Sequence, residues 1–137
     1  MSRLPDAAVA YERLVSHLVD EGFVAQISDP DETAFGNQVA LLSHDVIRLR
    51  LVRDGSQYFL EIAAPLTDEW FAPVVWMAFL DGILPDPRRP TAEDEAAFVA
   101  RRWHDFDASD AEGAVNMLRV WQGRRALQWR RLPPEST

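Results

Sequence analysis

The apolar positions of the chain follow two different periods. Over residues 4–21 they recur every three or four residues, as on one face of a helix, and Gly22 stands where such a helix would stop. The residues on this face are Ala7, Tyr11, Leu14 and Leu18. Over residues 38–63 apolar and polar residues alternate, which is typical of half-buried strands. Residues 23–28 predict one short strand before that stretch, and residues 29–37 predict a polar loop.

The alternating stretch predicts a three-stranded antiparallel meander, with strands at 38–43, 46–53 and 56–63. Asp54-Gly55 indicates a two-residue hairpin turn, because such a turn needs positive φ at both central positions. That turn pairs apolar residues on one face: Leu51 with Tyr58, Leu49 with Leu60, and Ile47 with Ile62. On the other face it pairs Arg48 with Glu61 and Arg50 with Phe59. A slip by one residue would mix the two faces, so we expect this register. The sequence leaves the position of the earlier turn, near residues 43–45, ambiguous by one residue.

A helix is predicted over residues 73–82 after a turn at residues 67–72. Pro73 suits a first helical position and Gly82 suits the residue just past the end. A strand over residues 74–77 is the alternative. Three prolines then make residues 84–90 a stiff loop.

Two more helices complete the chain. The first covers residues 92–106 and is capped by Thr91, and the second covers residues 110–130 and opens with a capping box from Ser109 to Glu112. We therefore expect a single α+β domain over residues 1–137. An N-terminal helix precedes a small antiparallel meander, and three C-terminal helices pack on one face of the sheet.

Composition indicates a folded protein and excludes several chemistries. The 137 residues are 47% hydrophobic and include five tryptophans, which is far from a disordered composition. The absence of cysteine excludes disulfides, thiolate zinc sites and thiol nucleophiles. The longest apolar run, Val74 to Leu80, is far short of the ~20 residues of a bilayer span. With no signal-peptide pattern at the start, we expect a cytoplasmic protein.

No pattern in the sequence is typical of a catalytic, metal or cofactor site. His17, His44 and His104 never stand four residues apart with an intervening glutamate, and the isolated glycines form no phosphate-binding motif. No carboxylate has an apolar setting in the sequence that would raise its pKa for acid–base catalysis. We therefore expect a protein that is not an enzyme and that uses no metal and no cofactor.

Charge is distributed unevenly along the chain, whose net charge is −8. Residues 1–118 carry 21 acids and nine arginines, a net −12, whereas residues 119–137 carry one acid and five arginines, a net +4. An acidic body favours basic partners and repels nucleic acid. The last helix combines basic residues with tryptophans, a pattern that can bind nucleic acid but that a helix C-terminus also favours electrostatically. These residues are Arg119, Trp121, Arg124, Arg125, Trp129, Arg130 and Arg131.

The polar face of the meander is the candidate partner-binding surface. It carries Arg48, Arg50, Phe59 and Glu61. Arginine and aromatic side chains are enriched at protein interfaces. If a helix covers this face, the same residues are ordinary packing and ion pairs.

One segment resembles a known class of proteins. Phe35-Gly36-Asn37, the strand from Ile47 to Asp54 and the strand from Gln57 to Ile62 resemble small bacterial immunity proteins of polymorphic toxin systems. The resemblance covers residues 35–62. It implies no catalytic residue and implies a protein that binds and occludes a cognate toxin. An acidic protein would associate rapidly with a basic toxin.

The leading expectation is thus a non-enzymatic protein-binding module of the immunity or antitoxin kind, with a basic toxin as its partner. One alternative is a nucleic-acid-associated regulator that uses the basic C-terminal helix. Another is a small-molecule binder with a tryptophan-lined pocket between sheet and helices. The apolar run from Val74 to Leu80 also leaves a homodimer open.

Overall fold

The computed structural model describes residues 6–27, 38–54, 57–86, 90–107 and 110–130. Within these ranges a helix precedes five antiparallel strands and three later helices, so the predicted α+β class and element order are confirmed. The elements are α1 (Asp6–Asp20), β1 (Val24–Ile27), β2 (Gln38–His44), β3 (Ile47–Asp54), β4 (Gln57–Ala63), β5 (Trp70–Phe71), α2 (Pro73–Asp81), α3 (Ala92–Arg102), a 3₁₀ turn (Trp103–Phe106) and α4 (Ala111–Arg130).

Some predictions fall on other parts of the chain. The start of the first helix, the loop at 29–37, the middle of the proline-rich loop and Ser109 all lie outside the described residues. So do Gly55, Arg131 and the Phe35-Gly36-Asn37 segment.

The five strands form one sheet in the order β1-β2-β3-β4-β5, so each strand pairs with its neighbour in the chain. The short strand β5 was predicted as part of a turn and is a correction. It pairs Phe71 with Ile62 and Trp70 with Ala63. A strand of two residues shows no alternation in the sequence, so only its pairing with β4 reveals it.

The predicted register of the β3–β4 hairpin is wrong by two residues. Arg50 pairs with Glu61 rather than with Phe59, and Val52 pairs with Phe59. Asp54 pairs with Gln57 and therefore belongs to β3 rather than to the predicted turn. Because side chains alternate with period two, a shift by two residues changes the partners but leaves every side chain on its predicted face.

The turn between β2 and β3 consists of Asp45 and Val46, because His44 pairs directly with Ile47. Asp45 has φ 54, in the left-handed region that aspartate tolerates better than most residues. The structure thus resolves the turn that the sequence left open.

One face of the sheet carries the core. A row of apolar residues crosses four strands in register, from Leu42 through Leu49 and Ile62 to Phe71, and all four are almost fully buried. Helices α1 and α2 contact this side of the sheet, α3 packs on α1 and α2, and α4 packs on α2. The indole Nε1 of Trp76 in α2 donates to the carbonyl oxygen of Ile62 at 3.1 Å, which satisfies a buried polar atom.

The helix boundaries follow the residues that begin and end them. Pro73 is the first residue of α2, and Gly82 ends the helix at φ 76, so the helical prediction is confirmed over the strand alternative. Thr91 and Asp94 form a capping box at the start of α3. That helix is shorter than predicted, since residues 103–106 form a 3₁₀ turn. Side chains three residues apart nearly eclipse in a 3₁₀ turn, so Trp103 and Phe106 both enter the core.

Among the helices of the described ranges, none has the length and apolar content needed to cross a membrane.

Candidate functional site

All four predicted site residues lie on the face of the sheet opposite the helices. Arg48, Arg50, Phe59 and Glu61 alternate along β3 and β4 with residues that enter the core. Within the described residues this outer face keeps access to solvent, since the side chains of Arg48 and Arg50 are 31% and 35% exposed and Phe59 is 46% exposed. Of the two arrangements that the sequence left open, the described part of the chain therefore favours the uncovered one.

Arg50 stands at the centre of this face and is held by two contacts. Its Nε donates to Glu61 Oε1 at 2.8 Å across the β3–β4 pair. Its guanidinium carbon lies 4.4 Å from the ring centroid of Trp70, within the range of a cation–π contact. Both ion-pair partners are half-buried. The guanidinium is therefore fixed in orientation before any partner arrives.

Arg48 approaches Trp70 from the neighbouring position on β3. Its guanidinium carbon lies 5.5 Å from the indole centroid. Its Nη1 donates to Asp68 Oδ1 at 3.2 Å, and its Nη2 donates to the carbonyl oxygen of Thr67. Arg48 thus fastens the loop that precedes β5 onto the sheet. We call Arg48, Arg50, Glu61 and Trp70 the arginine–tryptophan cluster.

Trp70 is the member of this cluster that the sequence prediction missed. It was placed in the turn before α2, whereas it pairs with Ala63 at the edge of the sheet. The loop before it is ordered by Thr67, whose Oγ1 donates to the carbonyl oxygen of Ala64 at 2.9 Å and accepts from the amide of Glu69 at 3.2 Å. These contacts place the indole of Trp70 beside Arg48 and Arg50, which precede it by about 20 residues in the sequence.

Phe59 extends the outer face beyond the cluster. It pairs with Val52, and its side chain is 46% exposed. It stands two residues from Glu61 on the same face, about 7 Å along the strand. The outer face therefore combines an exposed phenylalanine, an indole and two oriented guanidinium groups. The charges of Arg48 and Arg50 are balanced there by Asp68 and Glu61.

One carboxyl group is perturbed, contrary to the sequence expectation. The pKa of Glu95 is raised to about 7, mainly by burial; the charge of Arg125 lowers it and the charge of Asp94 raises it. Glu95 follows two exposed acids in the first turn of α3, so the sequence suggested another solvated residue. Burial likewise raises the pKa of Tyr11 and lowers that of Arg125.

A groove of about 420 Å³ runs between α1 and α3, and Glu95 does not line it. Four of its nine lining residues are alanines, and the charged or polar ones are Arg13 and His17 of α1 and Glu93 of α3. No group of three or more potential metal ligands occurs in the part of the chain that the structure describes.

Tryptophans do not line that groove either. Trp76 packs against Phe106 with ring centroids 4.9 Å apart, and Trp103 packs edge-on against Phe23 at the same distance. Both indoles are buried in the core. The predicted tryptophan-lined pocket therefore has no counterpart in this groove.

Comparison of the chain with protein-family models, curated proteins and solved structures finds no match. The resemblance to immunity proteins stays a prediction.

The arginines of the last helix do not form one basic face. Arg119 makes a forked contact with Glu69, with Nε 3.0 Å from Oε2 and Nη2 2.7 Å from Oε1. Arg124 stacks over Trp121, with 4.7 Å between its guanidinium carbon and the ring centroid. Arg125 is half-buried and interacts electrostatically with Glu95, which opposes the fall of its pKa caused by burial. The helical period points these side chains in three directions, which weakens the nucleic-acid alternative.

Proposed function

We propose that this chain is a non-enzymatic protein-binding module of the immunity-protein kind, and that the outer face of its sheet binds a basic partner protein such as a toxin. One observation carries the proposal. This face keeps access to solvent within the described residues, and it presents the arginine–tryptophan cluster beside an exposed Phe59.

The chemistry of this face suits a protein partner. Tryptophan, arginine and phenylalanine supply large contact areas at interfaces, and tryptophan and arginine are frequent among the residues that dominate affinity. Arg48 and Arg50 are already held by Asp68 and Glu61. Binding therefore loses less side-chain freedom than it would with free arginines. A sheet face also presents a broad surface, whereas small molecules prefer concave sites.

The charge of the protein points to a basic partner. The net charge of −8 attracts a basic protein over long range. Asp68 and Glu61 balance the charges of Arg48 and Arg50, so contact there depends on shape and aromatic packing rather than on net charge. We expect salt to slow association with the partner, while substitutions in the cluster mainly speed dissociation.

The test begins with capture of partners from the native host's lysate on the purified protein, at physiological ionic strength. A basic protein recovered in stoichiometric amount is then purified, and its affinity is measured by calorimetry against the wild type, Phe59→Ala and Arg48→Ala. We expect each substitution to raise Kd about tenfold or more. Phe59 is exposed, so circular dichroism should show an unchanged fold for Phe59→Ala, whereas Arg48→Ala also removes the contacts that hold the loop before β5.

Ile83→Ala is the matched control, because Ile83 is an exposed apolar residue in the loop after α2, away from the outer face. It should leave Kd unchanged. If the partner is a toxin, adding the protein should abolish the toxin's activity, and Phe59→Ala should weaken that protection. A partner whose affinity is equal for wild type and both outer-face variants would refute the proposed surface. Capture of nucleic acid alone, released by salt, would favour the C-terminal helix instead.

A further inference from the structure

Helix α4 carries an exposed line of residues that its own core contacts leave unused. Its buried residues are Ala114, Val115 and Leu118, all on one side. On another side the side chains of Val120 and Leu127 are 43% and 49% exposed. Val120 and Leu127 belong to a line of four residues whose spacings of four, three and four are typical of the seam between two packed helices. This seam consists of Asn116, Val120, Gly123 and Leu127.

Nothing in the described residues requires glycine at position 123. Glycine inside a helix lowers the folding equilibrium about fivefold relative to alanine. A Cβ added at Gly123 would meet no atom of the described residues within 4 Å, and the φ of Gly123 is not in the left-handed region. A glycine in the middle of an exposed helix does, however, allow a second backbone to approach closely.

The charges along α4 favour one orientation for such a second helix. Glu112 lies in the first turn and Arg130 in the last. They are 18 residues apart, which is five turns of about 3.6 residues, so they lie on the same side of the helix. Antiparallel pairing of two copies brings Glu112 of each beside Arg130 of the other. Parallel pairing would place like charges together.

We propose that α4 forms a two-fold symmetric homodimer in which the two α4 helices cross antiparallel. The symmetry axis passes between residues 121 and 122. Val120 of each copy packs on Gly123 of the other, Leu127 packs beside Asn116, and Glu112 pairs with Arg130 at both ends. The occupant of the seam is a second copy of this chain, because one helix supplies both the apolar residue and the glycine that receives it, and both signs of charge. This interface leaves the outer face of the sheet uncovered.

The first test is the molar mass in solution, measured by sedimentation equilibrium over a hundredfold range of concentration. We expect the molar mass of the wild type to rise from that of the 15.6 kDa monomer to that of the dimer as the protein concentration increases. Val120→Asp should raise the dimer Kd about a hundredfold, because two-fold symmetry places two carboxylates in one interface. Val19→Asp is the matched control, since Val19 is 45% exposed on α1, and it should leave Kd unchanged. A wild type that stays monomeric throughout, or equal weakening by both variants, would overturn the proposal.

The second test uses Gly123→Ala, for which we expect opposite effects on folding and on association. The added Cβ should raise the folding equilibrium of the monomer about fivefold, measured by urea denaturation at a concentration where the dimer is absent. It should also raise the dimer Kd about tenfold, because it blocks the approach of Val120. Unchanged association would rule out Gly123 as the contact point.

The third test fixes the orientation of the helices. Glu112→Arg and Arg130→Glu should each weaken the dimer, and the doubly substituted chain should regain the wild-type Kd. Additive weakening in the double variant would exclude the antiparallel arrangement.

Discussion

Replacing Glu95 with glutamine should stabilise the protein in a strongly pH-dependent way. Burial between helices raises the pKa of the Glu95 carboxyl from 4.5 to about 7 in the folded state. A carboxyl group with a raised pKa binds its proton more tightly in the folded chain than in the unfolded chain. Glu95 therefore contributes fully to stability below pH 4.5, where it is protonated in both states. This contribution is lost as the pH rises to about 7. Glutamine has nearly the same shape and never carries the charge.

The magnitude follows from that change of pKa. Each pH unit between 4.5 and about 7 corresponds to 1.36 kcal/mol, so ionised Glu95 costs about 3 kcal/mol above pH 7. The nearby charges act in both directions: Asp94 adds to the cost and Arg125 reduces it. Because desolvation is the largest contribution, the sign of the total does not depend on that balance. Glu95→Gln should thus raise the free energy of unfolding by about 3 kcal/mol above pH 7 and by little below pH 4.5.

Urea denaturation followed by tryptophan fluorescence, repeated across this pH range, measures the effect. The difference between variant and wild type is the informative quantity, because all other titrating groups cancel in it. Glu93→Gln is the matched control for the change of residue type, since Glu93 lies in the same helical turn but is exposed. A Glu95→Gln difference that is constant or falls with rising pH would mean that Arg125 stabilises an ionised Glu95, and it would refute the reasoning.

Two further predictions concern helix ends and use the same denaturation assay. Thr91→Ala removes the hydroxyl that accepts from the amide of Asp94 at 3.2 Å, and it should lower the free energy of unfolding by about 1 kcal/mol. Retention of full stability would show that the capping box contributes nothing. Gly82→Ala places a side chain at φ 76 with no atom within 4 Å of the new Cβ, so backbone strain alone should cost about 1 kcal/mol. A gain in stability would contradict the left-handed conformation of Gly82.

Hydrophobic spacing predicted the elements better than their pairing. The apolar face of the first helix and the helix between Pro73 and Gly82 were predicted from local pattern and are confirmed. The β3–β4 register was not, because both possible turns contain a glycine and both place the same side chains on the same face. Cross-strand partners distinguish the two registers. The observed one sets an opposite-charge pair, Arg50 with Glu61, beside an aromatic pair with a β-branched residue, Phe59 with Val52.

The candidate site could be predicted only where it depends on alternation within one hairpin. Arg48, Arg50, Phe59 and Glu61 share a face because each stands an even number of residues from its neighbour on the same strand. Trp70 joins them through contacts made after a loop and a change of strand, which no local pattern records. Glu95 was missed for the same reason. Its burial depends on how α3 packs against the rest of the helical layer, whereas its neighbours in sequence are exposed acids.

The loop between β4 and β5 connects the outer face of the sheet to the helical layer. Arg48 holds this loop from the sheet through Asp68, 20 residues away in sequence. Arg119 of α4 holds it through Glu69, across 50 residues. Trp70 follows Glu69 directly, so the pair of Arg119 with Glu69 ties the last helix to the loop residue that precedes the indole. The sequence assigned Arg119 to a basic C-terminal patch, whereas the structure pairs it with an acid of the loop beside the candidate protein-binding surface.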